Sequence, residues 1–169
     1  MKRLILSALL AAAALAQIPA IQQYTATDTL TSSSGESFTI LLPAGANRTV
    51  VPDPNGMFFG SVSAAATICL YTGTSAVTGT QVGATSLPGN NPSIPRQSVI
   101  YTGSSGSGNL LGCTTYPSAG PFVLTGVNLY KSTALTANGA AAGIQSLTVS
   151  VAPSTGTVSG YINAKFGEQ

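Results

Sequence analysis

The chain has 169 residues, of which only 10 are charged, and it contains neither histidine nor tryptophan. A basic nucleic-acid-binding surface, an acidic tail and a charged coiled coil are excluded, because each needs clustered charge that this sequence lacks. Without histidine, the chain cannot form a Ser-His-Asp triad, a Cys-His pair or a histidine-ligated metal centre.

Residues 1–16 predict a cleavable signal peptide. A positively charged start is followed by a 13-residue apolar run over residues 4–16, which ends in Ala-Leu-Ala. This run is shorter than the roughly 20 residues of a membrane-spanning helix, and no later apolar segment is longer. We therefore expect residues 17–169 to be secreted, extracellular or at the cell surface, with no membrane span and with passage through the periplasm if the source has an outer membrane. The mature chain keeps four basic and four acidic residues, so its formal net charge is zero.

The segment that follows the predicted cleavage site, residues 17–31, is polar, extended and β-prone, and Asp28 is its only charge. Two placements are open. The segment is either the first edge strand of its own sheet, which we favour, or an extended N-terminal arm that pairs with the sheet edge of a neighbour. In a strand-donation arm, the inserted residues are expected to be Ile21, Tyr24, Ala26 and Leu30.

Apolar residues alternate with polar ones along most of the mature chain, which predicts half-buried strands. Phe38, Ile40 and Leu42 form one apolar face, and the even-numbered positions of residues 62–70 form a longer one. Further strand candidates are residues 76–82, 97–101 and 122–130. The last of these is apolar in part on both faces, as is typical of a central strand. Residues 132–143 are rich in alanine and predict at most a helical turn, because two glycines interrupt them.

The last 25 or so residues contain two more alternating runs. Leu147, Val149 and Val151 share one face of the first run, and residues 157–166 form the second. Pro153-Ser154-Thr155-Gly156 lies between them and is typical of a tight turn. These features predict a C-terminal β-hairpin.

Seven to ten short strands without a convincing helix predict an all-β fold. We expect a single antiparallel β-sandwich over residues 17–169, of the immunoglobulin-like or jelly-roll-like kind. The tryptophan that antibody-type domains place between their cysteines is missing, so the likeness is one of architecture.

Cys69 and Cys113 are the only two cysteines, and export permits a disulfide between them. The alternation over residues 62–70 places Cys69 on the face opposite the core. The bridge is then expected to join the outside of the sheet, or a loop, to the rim. Two separate buried thiols are the alternative, and a β-bulge near Gly60 would reverse the facing.

No residue set predicts catalysis, a metal site or a cofactor. The four carboxylates that remain after cleavage are expected to be solvated turn or terminal residues and not a glycosidase pair; they are Asp28, Glu36, Asp53 and Glu168. The turn Asp53-Pro54-Asn55-Gly56 has too few carboxylates for a dedicated calcium loop, so a plain turn is favoured. The six tyrosines are able to stack on sugars, although tyrosine at a sheet rim more often packs with its hydroxyl in water.

An almost uncharged exterior favours contact between copies, since uncharged edge strands lack the Lys and Glu that block strand addition. In composition the chain resembles subunits of exported fibres that assemble by strand donation. Gly156 stands 14 residues from the end, as in the terminal pairing segment of chaperone-assembled pilins, but Glu168 replaces their aromatic residue and the cysteine spacing differs. No family is therefore assigned.

These features predict a non-enzymatic structural protein that forms a homo-oligomer or polymer. We expect a self-assembling extracellular fibre or a cell-surface subunit, with strand addition by the N-terminal arm as one route. The alternative is a monomeric secreted module for glycan binding or adhesion to a cell-surface component. Nucleic acid is not an expected partner.

Overall fold

A computed structural model describes residues 21–43, 46, 48–73, 79–103, 108–127 and 146–169. The predicted signal peptide and the alanine-rich segment 132–143 lie outside these residues, as do parts of the strand candidates 76–82 and 122–130. Within the described ranges no helix is long and apolar enough to cross a membrane.

The described residues form twelve strands and no helix. The strands are β1 (Gln22–Ser32), β2 (Glu36–Leu41), β3 (Val50–Pro52), β4 (Phe58–Val62), β5 (Ala66–Gly73), β6 (Thr80–Val82), β7 (Thr85–Ser86), β8 (Val99–Thr102), β9 (Asn109–Tyr116), β10 (Gly120–Leu124), β11 (Ser146–Pro153) and β12 (Val158–Glu168).

The strands make two antiparallel sheets, which confirms the predicted all-β antiparallel class and is the arrangement of a β-sandwich. We call them sheet A, in the order β10-β4-β12-β1-β7 with β3 also on β12, and sheet B, in the order β6-β8-β2-β11-β5-β9. The longest ladder joins β1 to β12 and runs from Gln22 opposite Glu168 to Ser32 opposite Val158.

The core lies between the sheets and is built from the inward positions of the alternating runs. The predicted faces of β2 and β11 are buried throughout, and so are Ile162, Ala164 and Phe166 of β12. Phe38 of sheet B meets Phe58 of sheet A edge to face, with ring centroids 6.2 Å apart. Each such buried phenylalanine stabilises the fold by about 1.5–3 kcal/mol.

The predicted C-terminal hairpin is wrong. β11 pairs with β2 and β5 in sheet B, whereas β12 pairs with β1, β3 and β4 in sheet A. The turn after Pro153 therefore carries the chain from one sheet to the other, and Gly156 supplies the left-handed backbone conformation (φ +65°) that it needs. Alternation within each run is the same in a hairpin and in a crossover, so the pattern could not distinguish them.

The long apolar face predicted over residues 62–70 is also two strands. β4 ends at Val62 in sheet A and β5 begins at Ala66 in sheet B, with a short bend between them. Both strands keep the predicted even-numbered inward parity, because Val62, Ala66 and Ile68 are all buried.

The candidate strand 122–130 was expected to be central, and this is wrong for its described part. β10 is an outer strand of sheet A that pairs only with β4, and Val123 is 58% exposed. Its outward apolar residue is therefore open to solvent and is not covered by a second layer.

Candidate functional site

β9, an outermost strand of sheet B, is a long strand of which almost every residue is exposed. Seven of its eight residues are exposed, from Asn109 to Thr115. They include two adjacent leucines, Leu110 at 56% and Leu111 at 48% exposure. The sequence did not predict this strand, because a strand exposed on both faces has no apolar periodicity; its β-prone Cys-Thr-Thr-Tyr run was the only local signal.

A disulfide joins β9 to its neighbour β5. Cys69 and Cys113 stand directly opposite each other in the ladder, with a Cα–Cα distance of 4.1 Å. Cys69 is half-buried between the buried Ile68 and Leu70, so it points to the outer face of sheet B. The structure confirms the predicted bridge and its position on the outside of the sheet, at the rim.

The same distance shows which way the backbone of β9 faces. Directly opposite antiparallel residues are about 4.5 Å apart in non-hydrogen-bonded pairs and about 5.5 Å apart in hydrogen-bonded pairs. At 4.1 Å, Cys113 belongs to the first kind. Its N–H and C=O point away from β5, and those of Thr115, two residues further on, do the same. In the described part of the chain no strand pairs with this side of β9.

The other outer strands of the described structure each have a feature that discourages pairing. β3 and β6 have three residues each, and β7 has two. β10 contains Pro121, which lacks an N–H donor. β1 continues beyond its short pairing with β7, but there it carries Asp28 in the inward register of Ala26 and Leu30, and an inward carboxylate opposes strand addition. β9 has neither a charge nor a proline.

An apolar groove opens beside β9. The ladder with β5 shifts register between Leu70 and Tyr71, which leaves Leu111 without a partner. Here a groove of about 230 Å³ separates β9 from the end of β10. Its lining comes from both sheets and comprises Ile68, Leu70, Leu111, Gly112, Cys113, Thr114, Leu124 and Thr125. An incoming strand would find both open backbone groups and an apolar recess for one side chain.

The residues predicted for strand donation lie mostly inside the chain's own sheet. Tyr24, Ala26 and Leu30 of β1 are buried in the core, while Ile21, just before β1, is 46% exposed. Along its whole length β1 pairs with β12 of the same molecule. Donation to a neighbour would thus exchange β1 between copies, and it stays a prediction.

Two carboxylates expected to be solvated are buried, and that expectation is wrong. Glu168 has no exposed surface; it accepts hydrogen bonds from the Ser98 N–H (2.9 Å) and hydroxyl and from the Gln97 N–H (2.9 Å). Asp53 is 7% exposed. Such burial is sustainable because each carboxylate is hydrogen-bonded. Asp28 is half-buried in β1, and Glu36, which was expected in a turn, is half-buried in β2.

Asp53 belongs to a second concave site, on the outer face of sheet A. A cavity of about 280 Å³ is lined by Asp53, Asn55, Gly56, Phe59, Val123 and Lys165. No group of three or more histidine, cysteine, aspartate or glutamate residues that could hold a metal ion is present in the described residues. Because Asp53, Asn55 and Gly56 all line this cavity, the predicted plain turn over residues 53–56 is also one wall of a pocket.

Comparison with known protein families, with curated proteins and with solved structures finds no match to this chain.

Proposed function

We propose that this protein is a non-enzymatic, exported structural subunit that self-assembles by pairing β9 of one copy with β9 of another. One observation carries the proposal: β9 is a full-length outer strand that is exposed on both faces, has no charge or proline, and directs the backbone of Cys113 and Thr115 outward.

A second copy suits this edge because the edge is compatible with itself. Two antiparallel β9 strands bring no like charges together, and each supplies the donors and acceptors that the other needs. The paired edge is about 27 Å long for eight residues at 3.4 Å each. It would join two copies of sheet B into one continuous sheet, with Leu110 and Leu111 of both copies near the contact.

Pairing of β9 with β9 is a two-fold contact, so it closes a dimer. A fibre needs a second, different contact, and strand addition by the N-terminal arm, the less favoured of the two placements open in the sequence, would supply one by exchange of β1. Export is supported by the Cys69–Cys113 disulfide, since such bonds persist in oxidising compartments.

The second candidate function is a monomeric module for glycan binding or adhesion. The observation that favours it is the pocket around Asp53 and Phe59, which combines apolar and hydrogen-bonding groups. The two candidates differ in oligomeric state and use different residues.

The test compares Leu110→Lys with the matched control Val123→Lys in the mature protein. Both side chains are similarly exposed, at 56% and 58%, but Val123 lies on β10 of sheet A. We expect the wild type to dimerise in sedimentation velocity at micromolar concentration. Leu110→Lys should be monomeric because a lysine on an edge strand opposes strand addition, and Val123→Lys should associate as the wild type does.

A second variant tests the backbone direction. Thr115→Pro removes an N–H that points to the open side, whereas Thr114→Pro removes one that bonds to β5. The first should abolish association in a folded protein, and the second should destabilise the fold. The proposal would be overturned by a wild type that stays monomeric at about 100 μM, which is about 100 times a micromolar dissociation constant. It would also be overturned if neither Leu110→Lys nor Thr115→Pro affected association.

A further inference from the structure

The pocket on the outer face of sheet A is held in shape by backbone hydrogen bonds. The Asp53 N–H donates to the Lys165 carbonyl, the Lys165 N–H donates to the Met57 carbonyl, and the Met57 N–H donates to the Leu124 carbonyl. These bonds tie the turn to β12 on one side and to β10 on the other. The wall of the pocket is therefore built before any ligand arrives.

Gly56 lets this turn approach β10 closely. Its φ is +120°, and a Cβ at this position would lie 2.4 Å from the Cγ1 atom of Val123. A glycine is thus required for both conformation and space. Val123 also lies beside Phe59, its direct partner in the ladder between β10 and β4, so the turn, Val123 and Phe59 meet at the pocket.

The polar groups of the pocket carry no net charge. The Lys165 Nζ lies 3.0 Å from the Asp53 Oδ2, and the Asn55 N–H donates to the Asp53 Oδ1 at 2.9 Å. Burial raises the pKa of Asp53, but the hydrogen bonds from Asn55 and Lys165 outweigh it and hold that pKa below its ordinary value. The carboxylate is therefore ionised at neutral pH and is balanced by the ammonium group.

This balance decides which ligands suit the pocket. A calcium ion is disfavoured because the Lys165 ammonium group already pairs with the Asp53 carboxylate. An anion is disfavoured because the negatively charged Asp53 would repel it. A neutral ligand with many hydroxyl groups fits, since Asp53 accepts hydrogen bonds, Lys165 donates them, and the Asn55 amide does both. The half-buried Phe59 ring and the Val123 methyl groups supply an apolar surface for the C–H face of such a ligand.

We infer that this pocket binds one unit of a neutral saccharide, with Phe59 stacking against the sugar ring and with Asp53, Asn55 and Lys165 hydrogen-bonding its hydroxyl groups. The inference deepens the second candidate function and does not depend on pairing at β9. At about 280 Å³ the cavity is at the small end of ligand pockets, which suits a single unit and not a long chain.

The experiment is a titration of the 15N-labelled mature protein with neutral sugars: glucose, galactose, mannose and N-acetylglucosamine. At least one sugar should shift the backbone amides of residues 53–59 and 163–165 in a saturable way. Phe59→Leu keeps an apolar side chain in place but removes the ring, and it should weaken that binding about tenfold or more.

Tyr161→Ala is the matched control, because this tyrosine lies on the same strand face as Lys165, is 44% exposed and is not part of the pocket. It should bind sugar as the wild type does. The inference is overturned if none of the four sugars shifts these amides, or if Phe59→Leu binds as tightly as the wild type. Sedimentation of Phe59→Leu separates the two proposals: association at β9 should be unchanged whether or not sugar binds.

Discussion

Loss of the Cys69–Cys113 disulfide should destabilise the protein by about 4 kcal/mol. The bridge closes a loop of 44 residues in the unfolded chain, and the loop-entropy relation gives that value for this length. For a domain of this size, 1 kcal/mol corresponds to about 2–4 °C in melting temperature. Replacing both cysteines by alanine should therefore lower the melting temperature by about 8–16 °C.

The effect should be largest at β9. Almost all of this strand is exposed, so it has little buried apolar surface of its own to hold it on β5. Amide hydrogen exchange should therefore become faster in β9 than in β11 or β12 when the bridge is removed. If pairing of copies uses β9, the same variant should also associate more weakly.

The assay is guanidinium unfolding followed by circular dichroism, with the oxidised wild type and the double alanine variant in parallel. The matched control replaces Thr67 and Thr115, which form the neighbouring cross-strand pair on the same face of β5 and β9, by alanine. That change should cost less than about 1 kcal/mol. A cysteine variant that lies within about 1 kcal/mol of the wild type would refute the reasoning that the bridge acts on the unfolded chain.

Two carboxylates should shift stability in opposite directions. Burial raises the pKa of Asp28 and outweighs the lowering by the backbone hydrogen bond at Thr29, so ionising Asp28 opposes folding. Asp28→Asn should therefore raise the urea midpoint at pH 7. The gain should fade as pH falls through the raised pKa and be gone once pH is below the ordinary carboxyl value. The pKa of Asp53 is lowered, so the ionised carboxylate stabilises the fold above the ordinary carboxyl pKa, and this stabilisation is lost in acid. Asp53→Asn should therefore lower the urea midpoint at pH 7. Equal midpoints for the Asp28 and Asp53 variants would contradict the environments assigned to the two carboxylates. Deletion of residues 21–32 should unfold the domain, because it removes β1 and three core side chains; a folded but non-assembling deletion variant would instead show that the segment acts by donation.

The local features of the fold were predictable. Alternation placed Phe38, Ile40 and the inward residues of β11 and β12 correctly, because strand side chains alternate between faces whatever the strand pairs with. The same parity placed Cys69 outside and predicted the position of the disulfide. The low charge of the chain likewise predicted edges without charged protection, and β9 is one of them.

The candidate sites were predictable only in part. The turn over residues 53–56 was recognised, but nothing in it indicated that Lys165, more than one hundred residues later, would pair with Asp53. Glu168 was expected in solvent because it stands next to the end of the chain, yet the 97–98 segment buries it with three hydrogen bonds. β9 itself was not predicted, since its exposure removes the periodic signal on which strand prediction depends.

By itself the sequence determined where the alternating runs form half-buried strands and which of their side chains face inward, because successive side chains of a strand point to opposite faces. Only the tertiary structure decided which sheet each strand joins, that β11 and β12 lie in different sheets, and that no described strand pairs with the outer side of β9. The physical reason is that the backbone donors and acceptors that pair strands are nearly the same for every residue type. A strand therefore pairs with the partner that lets both strands bury their apolar faces, and that choice depends on the whole chain.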